Sequence, residues 1–165
     1  MIYKSSYISF SSGLEWSVVY EELDTFDMVK DLPIEACGTL CFYNDKFVLV
    51  YAKSRKCWEM PGGGREGGES IEECAIREIK EESNMKVLEL YPLGIDTDTD
   101  PQTNEKHIKA RFAAKVKPYG DFRIDPDGEI TEIKLVELSE LKSYWDWGER
   151  GEAMLRKAKE KCGIK

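Results

Sequence analysis

The chain has 165 residues, of which 41% are hydrophobic and 34% charged, proportions that suit one globular domain with a buried core. Its formal net charge of −8 argues against a duplex nucleic acid as partner, because binding to that backbone requires clustered lysine and arginine. The same charge disfavours an anionic phosphate ligand unless a cation forms part of the site.

The cysteines give no sign of a zinc site or a disulfide framework. His107 is the only histidine, and none of the five cysteines belongs to a CxxC pair. We interpret them as buried free thiols of a reducing compartment: Cys37, Cys41, Cys57, Cys74 and Cys162. Because the N-terminal residues lack the apolar run of a signal peptide and no stretch approaches the ~18 apolar residues of a membrane span, we expect a cytoplasmic protein without membrane contact.

The first 33 residues are polar and mixed in sequence, apart from a strand-like stretch at 16–23. They form either an additional hairpin or an arm that packs on a partner subunit, and the composition does not choose between these structures. We therefore treat 1–33 as an N-terminal extension, and a homodimer is compatible with the sequence.

Strand and loop signals alternate along the rest of the chain. Apolar runs on both sides of Asn44-Asp45 predict a tight hairpin over 35–53. Polar segments at 96–106 and 117–129 are predicted as loops. The other elements that we predict are strands at 57–61, 87–95, 107–117 and 130–138, and a closing helix at 148–161.

The strand at 107–117 alternates between apolar and basic residues, which predicts one solvent-exposed face that carries Lys109 and Arg111. Strands that flank one central and one terminal helix indicate an α/β or α+β fold, with the sheet between the helices.

The central helix has a clear beginning and end. Ser70 followed by Glu73 is a capping-box signature, so the helix should begin at Ile71. Asn84 is favoured at the left-handed position that ends a helix. The sequence therefore predicts a helix over 71–83.

Three glutamates of this helix lie on the side that should be buried. Glu78 and Glu82 project within about 20° of Ile71 on a helical wheel, with Glu81 beside them. The apolar side comprises Ile71, Cys74, Ala75 and Ile79. The residues expected to face solvent are Glu72, Glu73, Lys80 and Ser83.

Such a carboxylate cluster is unfavourable without a cation. Two unit charges ~6 Å apart repel by roughly 3 kcal/mol at an effective dielectric constant of ~20. Clustered carboxylate oxygens are the ligands of Mg²⁺ or Mn²⁺, whereas the alternative is an ordinary acid-rich surface helix. Gly62, Gly63 and Gly64 precede the helix and allow backbone N–H or carbonyl groups to approach a metal or phosphate, although turns use glycine as well.

These residues resemble the signature of the Nudix hydrolases. The family pattern is Gly, five residues, Glu, seven residues, Arg-Glu, a large apolar residue, any residue, Glu-Glu, any residue, Gly and a large apolar residue. Asn84 replaces the final glycine of the pattern. Trp58 and Pro61 match residues that commonly precede the pattern in the family. The matching residues are Gly63, Glu69, Arg77, Glu78, Ile79, Glu81, Glu82 and Met85.

The resemblance implies a Nudix domain over 34–165, an α/β/α sandwich with a mixed sheet. It also implies hydrolysis of a nucleoside diphosphate linked to another group, with Mg²⁺ or Mn²⁺ as cofactor. The substrate would be a small nucleotide: a nucleoside triphosphate, an oxidised nucleotide, ADP-ribose or a nucleotide sugar.

The family pattern also implies roles for individual residues. The metal ligands would be Glu78, Glu81, Glu82 and a carbonyl of Gly62 or Gly63, and Arg77 and Glu69 would orient the helix carboxylates. The residues that would contact substrate are Gly62, Gly63, Gly64 and Trp58.

The general base stays open between Glu78 and a carboxylate of a distant loop. Glu129 and Glu132 are the candidates in that loop, and each is equally consistent with solvated charge at a strand edge. Pro101 lies sixteen residues beyond Met85, where ADP-ribose hydrolases of the family carry a proline. Two alternatives are a catalytically silent nucleotide-binding domain and an isoprenoid diphosphate isomerase, which would require more histidines than this chain has.

Overall fold

Nine strands and two helices form the structure, a computed structural model that describes residues 1–165. The strands are β1 (Ile2–Ile8), β2 (Glu15–Glu22), β3 (Ile34–Tyr43), β4 (Lys46–Ala52), β5 (Cys57–Glu59), β6 (Gly62–Gly64), β7 (Met85–Thr99), β8 (Lys106–Pro118) and β9 (Ile130–Val136). The helices are α1 (Ile71–Ser83) and α2 (Gly148–Cys162), and 3₁₀ turns occur at Asp27–Val29 and Leu138–Ser143. Neither helix is long and apolar enough to cross a lipid bilayer.

All nine strands belong to one mixed sheet. Its order is β1-β2-β7-β8-β3-β4-β5, with β6 paired to β3 and β9 to β4. Only β3 and β8 run parallel. β3 and β4 pair only next to their hairpin, and beyond that point β3 pairs with β6 while β4 pairs with β9.

Each face of the sheet is covered by one helix. On one face α1 packs with Cys37, Ala110 and Phe112, and on the other α2 packs with Leu40 and Ala113. This arrangement confirms the α/β/α sandwich that the sequence predicted.

The predicted limits of α1 are correct. The Ser70 side chain accepts a hydrogen bond of 3.0 Å from the Glu73 N–H, and Asn84 adopts the left-handed conformation with φ of 53°. Asn44 and Asp45 have φ values of 46° and 63° in the two-residue turn between β3 and β4, as that turn type requires.

Several local predictions were wrong. Segment 96–106 is not a loop throughout, because β7 continues to Thr99 by pairing with β2 of the N-terminal hairpin. Gly62–Gly64 form a strand where the glycine-rich sequence suggests a loop, and Ser83, expected to face solvent, is buried, where its hydroxyl donates to the Ile79 carbonyl. The cysteines are free thiols, but Cys57 is exposed.

Replacing Asn84 by alanine should lower the free energy of unfolding by about 1–2 kcal/mol, the cost of a left-handed conformation for a residue with a Cβ and no local hydrogen bond. The change also removes the 2.8 Å bond from Asn84 Nδ2 to the Asp121 carbonyl. Glycine at this position should cost less, because it adopts the conformation freely. Denaturant unfolding compares the two variants, and equal stability would contradict the assignment of strain.

Candidate active site

The glycine strand β6 lies directly against the acidic edge of α1. Gly62 N–H donates a 2.6 Å hydrogen bond to Glu82 Oε1. A Cβ at Gly63 would lie 2.5 Å from Glu78 Oε1, and one at Gly62 would clash with the Cys37 carbonyl. Glycine is therefore required at Gly62, where the neighbour is backbone, whereas a larger residue at Gly63 would displace the Glu78 carboxylate.

Arg77 connects most groups of this edge. Its guanidinium donates to both oxygens of Glu69, at 3.0 and 2.7 Å, and to the Gly64 carbonyl at 2.9 Å. One nitrogen, Nη1, donates to Glu78 at 2.8 Å and to Glu81 at 3.2 Å. The planar guanidinium of Arg77 thus holds two helix carboxylates, Glu78 and Glu81, and also binds the segment that precedes the helix.

Burial divides the three helix carboxylates. Glu82 is only 6% exposed, whereas the side chains of Glu78 and Glu81 are 13% and 36% exposed. Burial raises the pKa of Glu82 to about 9, an effect that the Gly62 N–H opposes and the Glu78 charge increases. Burial also raises the pKa of Glu78 against the opposing effect of Arg77. Hydrogen bonds from Arg77 and the Glu66 N–H lower the pKa of Glu69 to about 2.

The two candidate carboxylates of the distant segment have different surroundings. Glu129 accepts hydrogen bonds from the backbone and hydroxyl of Ser54, and Glu132 is exposed on β9. The more distant negative charges that raise the Glu82 pKa belong to Glu59 and Asp125. Sequence reasoning missed both, since neither lies in the motif, and only the folded chain brings them near α1.

Trp58 packs in an aromatic cluster beside the glycine strand. Its ring lies 5.2 Å from Tyr51 and 6.4 Å from Tyr144, with Lys134 Nζ 5.3 Å from its centroid. The ring is half-buried on β5, three residues before Pro61. Its contacts explain its position without a ligand, so its role in substrate binding stays a prediction.

The donor set of α1 fits a hard divalent cation. Its ligands would be carboxylate oxygens, and the buried Glu82 has only the Gly62 N–H as hydrogen-bond partner. No three His, Cys, Asp or Glu side chains converge on one point at coordination distance. Arg77 donates to Glu78 and Glu81, so its guanidinium offsets part of the charge of these two carboxylates.

A second charged cluster on the α2 face was also missed. Arg111 and Arg150 donate to the fully buried Asp96 at 2.6 and 2.8 Å, and both stack on Trp147. The prediction of Arg111 on a wet face was wrong, since it is 7% exposed. The alternation Asp-Thr-Asp-Thr at 96–99 is a period-two signal that could have identified this strand.

Comparisons with known proteins place this site in a family. The NUDIX domain family model matches residues 34–158. The chain belongs to the Nudix hydrolase family. An RNA pyrophosphohydrolase of Agrobacterium fabrum is 25% identical over 134 residues, 72% of this Nudix chain and 79% of that protein. An ADP-ribose pyrophosphatase of Methanocaldococcus jannaschii is 38% identical over 75 residues, 42% of this chain and 44% of that protein.

A solved structure shares the fold across nearly the whole chain. The crystal structure of the Bacillus subtilis pyrophosphohydrolase BsRppH has a TM-score of 0.74 at 21% identity, and the match covers 98% of this chain and 99% of that one. This likeness includes the N-terminal hairpin, which the family model does not cover.

Replacing Glu82 by glutamine should stabilise the metal-free Nudix protein by about 1–3 kcal/mol at pH 8. The pKa of Glu82 is raised to about 9 on folding, so its contribution to stability is full below about pH 4.3, the usual glutamate value, and is lost as the pH rises towards 9. Glutamine stays neutral and can accept from Gly62, so the gain should disappear near pH 4.

Denaturant unfolding with a chelator at pH 5 and pH 8 measures this difference. Glu72→Gln is the control, because Glu72 is exposed on the same helix. A Glu82→Gln variant with no gain at pH 8 relative to that control would contradict the raised pKa.

Proposed function

We propose that this Nudix hydrolase uses Mg²⁺ or Mn²⁺ to hydrolyse the diphosphate linkage of a nucleoside diphosphate joined to another group. The buried Glu82 carboxylate carries the proposal, because it lies between the glycine strand and a second carboxylate, Glu78. A buried carboxylate with a single hydrogen-bond donor is unfavourable unless it is protonated or a cation neutralises it.

The chain's own residues position the groups that would react. A bound cation neutralises the diphosphate and lowers the pKa of the attacking water. Glu78, Glu81 and Glu82 would hold that cation, together with the Gly63 carbonyl, and Arg77 and Glu69 fix the orientation of the helix carboxylates. Gly62 and Gly64, with Trp58 beside them, would contact the substrate.

The favoured substrate is the 5′-triphosphate end of an RNA. The curated relatives that match about 72% of the chain are RNA pyrophosphohydrolases, and the BsRppH match extends over nearly the whole length. ADP-ribose is the second candidate, supported by the shorter match to the ADP-ribose pyrophosphatase and by the position of Pro101 in the turn after β7. Retention of all three helix carboxylates disfavours a silent binding domain.

The full chain should hydrolyse at least one compound of a defined panel with Mg²⁺ or Mn²⁺. The panel comprises 5′-triphosphorylated RNA, nucleoside triphosphates, oxidised nucleotides, ADP-ribose, nucleotide sugars and dinucleoside polyphosphates. Release of phosphate, diphosphate or mononucleotide is followed by ion-exchange chromatography. Absence of turnover on every compound with both metals would favour the silent binding domain.

Replacing Glu82 by glutamine should lower kcat/KM by roughly 10²-fold or more, since a catalytic cation contributes several kcal/mol to the transition state. The protein should stay folded, because glutamine removes the cost of ionising a buried carboxyl whose pKa is raised to about 9. Glu72→Gln, with an exposed side chain on the same helix, is the matched control. Wild-type turnover by Glu82→Gln would refute its assignment as a metal ligand.

The distant carboxylates can be ranked by the same assay. We expect Asp125→Asn to lower kcat, because the negative charge of Asp125 is close enough to raise the pKa of Glu82. Glu132→Gln should have little effect, because Glu132 is exposed on β9. A general base contributes about 10²–10⁴-fold, so a loss of that size separates this role from a supporting one. If Glu132→Gln or Glu129→Gln lowers kcat more than Asp125→Asn does, the general base is one of the two residues that the sequence suggested.

A further inference from the structure

The first strand of the sheet, β1, has a free edge. It lies at the end of the strand order and pairs only with β2. At one end of this pairing the Met1 carbonyl accepts a 3.0 Å hydrogen bond from Glu22 N–H, and at the other end Ser9 N–H donates to the Leu14 carbonyl at 2.8 Å. Because the backbone groups of successive residues point to opposite sides of an antiparallel strand, the odd-numbered residues of β1 bond to β2. The even-numbered residues therefore present their N–H and carbonyl groups at the open edge.

β1 lacks most of the features that keep edge strands from pairing with another chain. Its seven residues include no proline or glycine, and its register against β2 contains no bulge. The even-numbered side chains are all exposed, and two of them are large and apolar, Ile2 at 62% and Ile8 at 66%. Lys4 is the only charged residue of the strand, and no salt bridge of the chain involves it. The edge is thus available for another strand.

The sequence of β1 is nearly the same in both directions. It reads IYKSSYI, so a two-fold axis through Ser5 places a second copy of the strand antiparallel to the first with similar residues opposite each other. The pairs are Ile2 with the partner's Ile8, Tyr3 with the partner's Tyr7, and Lys4 with the partner's Ser6. Even-numbered residues then pair with even-numbered ones, so the open-edge groups of the two chains can form about eight backbone hydrogen bonds.

Neighbouring registers of the same pairing are less favourable. An axis between two residues would set open-edge groups against groups that already bond to β2. An axis at Lys4 would place two lysines opposite each other, and an axis at Ser6 would place Lys4 opposite the partner's Ile8. With the axis at Ser5, Lys4 lies opposite the partner's Ser6. The Ser6 hydroxyl donates to Glu15 at 2.6 Å within its own chain, so this register brings each Lys4 towards a carboxylate of the other chain.

We propose that two copies of this chain form a symmetric dimer in which their β1 strands pair antiparallel about an axis at Ser5. The two sheets then join into one continuous sheet, and Ile2 of each chain covers Ile8 of the other. One strand pair is smaller than the ~1,200 Å² of a standard interface, so the dimer is weak and reversible, with a Kd on the order of 10 µM. The inference is independent of the proposed function, because β1 contributes no residue to the glycine strand or the acidic edge of α1.

Sedimentation velocity over a range of concentrations of the full chain measures this association. The mass of the wild type should rise from one chain to two as the concentration increases through the micromolar range. Ser6→Lys places a lysine opposite Lys4 in both symmetry-related pairs, so it should raise Kd by about ten-fold or more at low salt. Adding Lys4→Glu to Ser6→Lys sets opposite charges against each other again and should lower Kd back towards the wild-type value.

Ser17→Lys is the matched control, because Ser17 is exposed on β2 directly opposite Ser6, one strand away from the edge. It changes the net charge as Ser6→Lys does but lies about 10 Å from the partner's Lys4, so it should alter Kd by no more than about two-fold. Denaturant unfolding of each variant verifies that its protomer stays folded. A wild type that remains monomeric throughout, or a Ser6→Lys variant that associates as well as Ser17→Lys, overturns the inference. Failure of Lys4→Glu to restore association in folded protein overturns the axis at Ser5.

Discussion

The guanidinium of Arg77 is the interaction on which the acidic edge of α1 depends. It donates to Glu69, Glu78 and Glu81, offsets part of their negative charge and also binds the Gly64 carbonyl, so the helix and the glycine strand are joined through one side chain. Without a cation of this kind, carboxylates on successive helical turns would repel each other at a half-buried edge. Glu82 lies outside this network: its hydrogen bond comes from the Gly62 N–H, and burial raises its pKa to about 9, which favours the protonated form in the metal-free protein.

Successive residues of the short strand β6 face opposite sides of the sheet, so the strand contacts both the acidic edge of α1 and the α2 face. Gly63 faces Glu78, whereas Gly62 pairs with Gly38, at which a Cβ would clash with Arg111 and Met60. Because side chains alternate along a strand, Gly63 of β6 leaves room for the Glu78 carboxylate on one face, and Gly38 of β3 leaves room for Arg111 on the other. Glycine is a poor strand former, and β6 is held by its pairing with β3 and by the contacts of α1.

Local signals were sufficient to predict α1, whereas residues fixed by distant pairing were not. Ser70 and Asn84 determine the ends of the helix by bonds within a few residues, and the 3.6-residue period places its carboxylates. No local signal indicates that β2 pairs with β7. This pairing extends β7 through the polar residues up to Thr99. The burial of Arg111 depends in turn on Arg150 and Trp147, which lie some forty residues further along the chain and pack against it only in the folded protein.

Acidic and basic side chains largely balance each other on the α2 face of the sheet. Asp96 offsets part of the charge of Arg111 and Arg150, and Asp98 pairs with Lys109, so the α2 face near the glycine strand is close to neutral. In the proposed function, affinity for an anionic substrate therefore comes chiefly from contacts to its phosphates at α1 and β6, because the α2 face lacks the clustered lysine and arginine that bind a nucleic-acid backbone.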